Sequence, residues 1–229
     1  MITQGRRYRG GHSVWSMGMR ASSRAGARAV AVLAAMLAVS ALEPHPSLGD
    51  ERPVWGAAAI DGTIAGEIPK APIVVFLEGA RQPGRKPASH RLGQKGLRFT
   101  PDFLLVAQGD TVSFPNDDRV THNVFSISRA KRFDLDLYPP GSSREILFDE
   151  AGQVDVFCSI HQNMHAVIVV VPSDYAAVAG ADGAFRMPAV PPGRYTAVAW
   201  LKGKEIARQP VVVEPGKDAS LAITPKPPN

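Results

Sequence analysis

Downstream of residue 55 the apolar residues fall in short runs broken by Gly, Pro and Asp, and no sustained 3.6-residue repeat occurs. That pattern predicts an all-β chain, because a period of two marks half-buried strands while a helix needs a longer periodic stretch. Ile73–Leu77 reads as one strand. Leu104–Ala107 and Thr111–Phe114 flank a turn at Gln108–Asp110, and His122–Ser126 follows as a further strand. Phe133–Tyr138 alternates apolar and polar residues, as an edge strand does. Glu145–Phe148 and Gln153–Cys158 are separated by a turn at Glu150–Gly152, and Val154, Val156 and Cys158 share one face. His165–Val171 is almost continuously apolar after its first residue, which predicts a central buried strand. Arg81–Lys95, polar, basic and rich in Gly and Pro, reads as an exposed loop.

Pro172–Tyr175 reads as a boundary. Beyond it come a short strand Ala184–Met187, the turn Pro191–Gly193, a strand Tyr195–Trp200, the turn Lys202–Lys204 and a strand Val211–Val213. The 229 residues are therefore expected to hold one domain over 56–172 and a small β-module with a tail over 173–229. A module of about 50 residues buries little surface alone. It is expected to pack against the first domain or to borrow a strand from residues 56–80.

The formal net charge of +5 is misleading, because residues 1–42 hold Arg6, Arg7, Arg9, Arg20, Arg24 and Arg28 and no acid. Elsewhere acids and bases nearly balance, so the charge gives no support for nucleic-acid binding. Arg20, Arg24 and Arg28 precede the apolar run Ala29–Leu42, with small residues at Val39–Ala41. This is the pattern of a secretory signal, and the run is short for a membrane span. Residues 1–42 are expected to be a signal sequence and 43–55 a flexible mature N-terminus. The implied compartment is the periplasm, without stable membrane insertion after signal removal; an uncleaved anchor is the alternative. The one Cys fits export, since a free thiol there is prone to oxidation or mispairing unless a metal holds it.

Cys158-Ser-Ile-His161-Gln-Asn-Met164 places a thiolate, an imidazole and a thioether within seven residues, and His122 offers a second imidazole 36 residues before the Cys. Sulfur ligands favour Cu(I) and imidazole suits both oxidation states, so this is the ligand set of a blue-copper electron-transfer site. An inert buried thiol and a core methionine are the plainer alternatives. Zinc is another, disfavoured because a thioether is a poor ligand for it. His165 is either a substitute ligand or an exposed residue opening the next strand. His45 and His90 read as surface residues. Asp117 and Asp118 read as a solvated turn, with a part in shaping the site mouth as the alternative.

On these residues, the stretch 95–171 resembles the cupredoxins of the plastocyanin and amicyanin type. The C-x2-H-x2-M spacing of Cys158, His161 and Met164 matches the short ligand loop of amicyanin, and His122-Asn-Val resembles the family's first-ligand motif. The resemblance implies a Greek-key β-sandwich holding one type 1 copper. Cys158, His122 and His161 would form the trigonal plane and Met164 the weak axial ligand. It also implies that Asn123 ties the first-ligand strand to Ser159 and that His161 is the electron port. Ile160 is expected in a docking patch, with Arg119, Arg129, Lys131 and Arg132 either steering an acidic partner or merely solvated. The C-terminal phrase Gly183-Ala-Phe185…Val190-Pro-Pro-Gly193-Arg-Tyr195 resembles the transthyretin-like domain of carboxypeptidase regulatory regions.

The expected function is that of a periplasmic one-electron carrier whose partner is a redox protein such as a c-type cytochrome or a dehydrogenase. The alternatives are a copper module for storage, delivery or sensing, and an envelope interaction protein with structural copper. The sequence has no His-x-His pair for a second copper centre and no Cys-x-x-Cys-His for c-type haem, so an enzyme is not expected.

Overall fold

The computed structural model describes residues 56–226, where every regular element is a β-strand. The expected signal sequence, the segment 43–55 and His45 lie outside the described residues. Among the described residues no helix is long and apolar enough to cross a membrane.

Strands β1 to β17, numbered in chain order, form two sandwiches. In the first, the larger sheet has the order β6 (Phe103–Ala107), β12 (His165–Val171), β11 (Gly152–Phe157), β8 (His122–Ile127) and β9 (Arg132–Tyr138). The smaller has the order β10 (Glu145–Phe148), β7 (Asp110–Ser113) and β3 (Ser89–Arg91), and β4 (Gly93–Gln94) with β5 (Phe99–Thr100) forms a short ribbon. Alternation turns Val124, Val154, Val156, Ala166, Ile168 and Val170 inward, into one core with Val112, Phe114 and Phe148. Strand β9 is an edge strand, as its alternation predicts. It pairs with β8 through an irregularity, Asn123 facing Leu137 but Phe125 facing Asp134. Such bulges bend an edge and re-aim neighbouring side chains.

The second sandwich stacks β14 (Ala184–Val190), β1 (Ala58–Ile64) and β17 (Ala219–Ile223) on β13 (Ala176–Val178), β2 (Ile73–Leu77), β15 (Gly193–Leu201) and β16 (Lys204–Val213). This corrects the expected division at 56–172 and 173–229, while the strand borrowing expected from residues 56–80 is observed, with two strands rather than one. Strands β1 and β2 stand at the head of the chain but pair with C-terminal strands, so the first sandwich is inserted between the two parts of the second. The reason is burial: the C-terminal strands need both to close a core of Ile60, Val75, Leu77, Met187 and Ile223.

Two strands are buried on both faces, and they meet. In β2, Ile73, Val75 and Leu77 enter the second core while Val74 and Phe76 point the other way. In β12, Ala166, Ile168 and Val170 enter the first core while Val169 and Val171 point outward. Val74, Phe76, Val169, Val171 and Val198 then form a third cluster between the sandwiches. Phe76 meets Trp200 edge to face there, with centroids 4.9 Å apart. The β15–β16 turn also reaches the first sandwich: a Cβ on Gly203, at φ 70, would lie 2.8 Å from that of Gln153.

The chain passes between the sandwiches twice, and polar groups tie the passages together. Asp174 accepts from the Gln82 backbone N–H at 2.8 Å and from Arg81 at 3.2 Å, and its own N–H donates to the Ala80 carbonyl. Arg85 forks onto the fully buried Asp110 with two 2.7 Å bonds, and His90 Nε2 lies 2.9 Å from the same carboxylate. Burial alone would raise the Asp110 carboxyl. Hydrogen bonds with His90, Arg85 and the Ala88 N–H outweigh it and hold the group well below the usual range. Residues 81–88 are a largely exposed loop, as expected, but 89–94 carry β3 and β4: Leu92 and Gln94 are fully buried, and His90 serves a buried acid.

Candidate metal centre

The register of the larger sheet brings three chain segments to one end. Strand β8 starts with His122, β11 ends at Phe157, and β12 starts with His165, directly opposite Phe157. Phe157 also pairs with Phe125 on β8, so the 158–164 loop sits beside the start of β8. Cys158 continues the inward face of Val154 and Val156 and is 5% exposed. His122 and Met164 are fully buried, whereas His161 is half-buried. The Met164 N–H donates to the His161 carbonyl at 3.0 Å, which closes the loop as a tight turn.

Three donor atoms converge. His122 Nδ1 lies 3.0 Å from His161 Nδ1, and Cys158 Sγ lies 3.6 Å from His161 Nδ1 and 3.9 Å from His122 Nδ1. A point equidistant from the three is about 2 Å from each, close to metal–imidazole bond lengths and slightly short of a metal–thiolate bond. The residues therefore fit a metal in trigonal coordination without rearrangement, and this is the one such His/Cys/carboxylate group among the described residues. Met164 lies in the same buried cluster as Cys158, on the loop that carries it.

Hydrogen bonds hold these donors. Asn123 accepts from the Ser159 N–H at 3.3 Å and donates to Asp134 at 2.6 Å, which ties β8 and β9 to the residue after the thiol. This is the tie expected of Asn123. Tyr138, fully buried, donates to the Phe114 carbonyl at 2.8 Å and accepts from Gln94 at 2.6 Å, and burial pushes its hydroxyl up to about 12. Sequence reasoning missed it, because a terminal Tyr on an alternating strand carries no sign of which way it points.

Asp118 has a larger part than the solvated turn expected. Its Oδ2 lies 3.1 Å from His122 Nε2 and accepts the Leu97 N–H at 2.8 Å, while Oδ1 accepts the Arg119 N–H at 2.8 Å. The two backbone N–H groups, with His122 behind them, pull its carboxyl down to about 2. The Asp-x3-His spacing was the available signal.

The remaining candidates separate cleanly. His165 points away from the donors: its ring stacks on Phe157 at 4.8 Å and Nε2 lies 3.0 Å from Asp155. Arg119 stands beside Asp118 at the site mouth. Arg129, Lys131 and Arg132 lie around the β8–β9 turn, beyond Ile127, which is about 17 Å along the strand from His122. They do not flank the centre. Ile160, Leu97 and Val120, 50%, 47% and 43% exposed, are apolar residues close in sequence or hydrogen bonding to the centre.

Residues 88–171 match the family model of copper binding proteins, plastocyanin/azurin family. Residues 172–221, for which the sequence suggested a transthyretin-like relationship, match that of polysaccharide lyase family 4, domain II. Among solved structures the chain is similar to a novel purple cupredoxin from Nitrosopumilus maritimus, with 26% identity, 36% of this chain and 99% of that one covered, and a TM-score of 0.33. It is similar to amicyanin from Paracoccus versutus, with 21% identity, 42% and 97% covered, and a TM-score of 0.34. A Cu-containing nitrite reductase from Thermus scotoductus SA-01 is 26% identical, with 41% of this chain but 24% of that enzyme covered, and a TM-score of 0.35. No curated protein matches the chain.

Proposed function

We propose that this protein, whose residues 88–171 form a copper-binding domain of the plastocyanin/azurin family, is an exported carrier of single electrons. The observation that carries this reading is the convergence of His122, His161 and Cys158 at separations of 3.0 to 3.9 Å. Copper bound there supplies one-electron chemistry between Cu(I) and Cu(II). Cys158 provides a thiolate, His122 and His161 their Nδ1 atoms, and Met164 a weak fourth donor. His122 opens β8, and the Ser159–Asn123 and Met164–His161 bonds hold the loop that carries the other three, so the chain itself would keep the donors in place in both oxidation states. Small reorganisation is what a carrier needs.

His122 is sealed inside, whereas His161 is half-buried and serves as the port. Ile160, with Leu97 and Val120, provides apolar surroundings that exclude water when a partner docks. The partner is a redox protein such as a c-type cytochrome or a dehydrogenase, and the compartment is the periplasm, in keeping with the signal pattern at 1–42. A carrier rather than an enzyme fits a chain without a His-x-His pair for a second copper centre. The test is voltammetry on Met164→Leu and Met164→Gln beside reduction kinetics with periplasmic cytochromes. The first variant should raise the potential and the second lower it, and electron exchange with the partner should change accordingly. Wild type that exchanges electrons with none of these donors or acceptors would turn the reading to a copper-storage or delivery module.

A further inference from the structure

We infer that Asp118 sets the reduction potential of the centre, as a positioning residue that acts through His122; the inference rests on the copper reading above. His122 turns Nδ1 toward His161 and Cys158, leaving Nε2 to face Asp118 at 3.1 Å. With Nδ1 committed to a metal, Nε2 carries the ring proton and donates it to the carboxylate. A negatively charged acceptor makes the imidazole a stronger donor and fixes the ring plane. A stronger donor favours the more highly charged Cu(II), so the carboxylate lowers the potential.

The carboxylate is built into position. Besides His122, its oxygens accept the Leu97 and Arg119 N–H groups, each at 2.8 Å. The Asp118 N–H donates to Asn116 Oδ1 at 3.1 Å. Asn116 is itself buried, and its amide donates to the Val120 and Tyr138 carbonyls. The nearby Arg91 pairs with Asp117. The negative charge of Asp118 is therefore directed at the ligand, and that of Asp117 at a guanidinium.

The two acids give an internal control, since Asp118→Asn and Asp117→Asn change the net charge equally. Loss of a carboxylate behind a metal-bound histidine costs roughly 10- to 100-fold in metal affinity. Falling on Cu(II), the smaller loss raises a one-electron potential by about 59 mV. Voltammetry on the copper-loaded chain should show that rise in Asp118→Asn, with the visible band kept, and little change in Asp117→Asn. Equal shifts in both variants, or none in Asp118→Asn, would overturn the inference while leaving the copper site intact. Wild type without a copper-dependent visible band would instead overturn the site reading.

A second measurement covers the case in which Asp118→Asn does not fold. In the diamagnetic Cu(I) wild type, the His122 Nε2–H should give a downfield proton signal in slow exchange with water. A His122 Nε2–H that exchanges as fast as a solvated imidazole would also overturn the inference.

Discussion

Replacing Asn123 with Ala removes a side chain that ties β8 to the loop carrying Cys158 and His161. Two hydrogen bonds are lost, and they differ in weight. The bond from the Ser159 N–H is long at 3.3 Å, and Ser159 is exposed, so water can replace part of it; its loss costs about 1 kcal/mol. The bond to Asp134 is short at 2.6 Å and has a charged acceptor, but Asp134 is exposed and regains water, so about 1 kcal/mol is again reasonable. The expected destabilisation is about 2 kcal/mol in the copper-free protein. Guanidinium unfolding without metal measures it free of binding linkage. Asp134→Ala removes one arm, together with the exposed Asp136 N–H bond that water replaces, and should cost about 1 kcal/mol; the double variant should be less than additive. Copper should also leave the Asn123→Ala protein faster. A change below about 0.5 kcal/mol, with copper release unaltered, would mean that Asn123 does not hold the ligand loop.

Two further outcomes test the surrounding architecture. Asp110→Asn leaves Arg85 without its buried carboxylate and should cost about 3 kcal/mol. The Asp110 pKa is depressed by folding, so its contribution is full above about pH 4 and fades as acid protonates the folded carboxylate; wild type and variant, compared by denaturant titration, should converge only at lower pH. Phe76→Ala, at a position 2% exposed between the sandwiches, should cost about 3 to 5 kcal/mol and separate tryptophan fluorescence from the visible copper band during unfolding.

Part of the candidate centre was legible because thiol, imidazole and thioether groups announce themselves chemically. Cys158, His161 and Met164 are close in sequence, and the period-two alternation through Val154 and Val156 already points the thiol inward. Strand positions such as Ile73–Leu77 and His165–Val171 were legible for the same local reason. What local pattern cannot carry is pairing over long distances. A continuous apolar run says that a strand is buried on both faces, not that β2 and β12 bury their outer faces against each other. Likewise β1 looks like the start of the copper domain until its partners, near residues 186 and 221, are known. His90 and Asp118 were misjudged because the value of a polar residue depends on its partner. Asp110 lies 20 positions from His90; Asp118 meets His122 only four positions on, but that spacing does not by itself say which way the carboxylate points.

The central claim, a copper held by His122, Cys158 and His161, is tested most directly by the absorption spectrum of the protein titrated with Cu(II). One equivalent should produce an intense visible thiolate-to-copper band. That band should be absent in Cys158→Ser, lost from His122→Ala and His161→Ala, and kept in His165→Ala. Cu(II) bound by the wild type without such a band, or a band that survives Cys158→Ser, would contradict it.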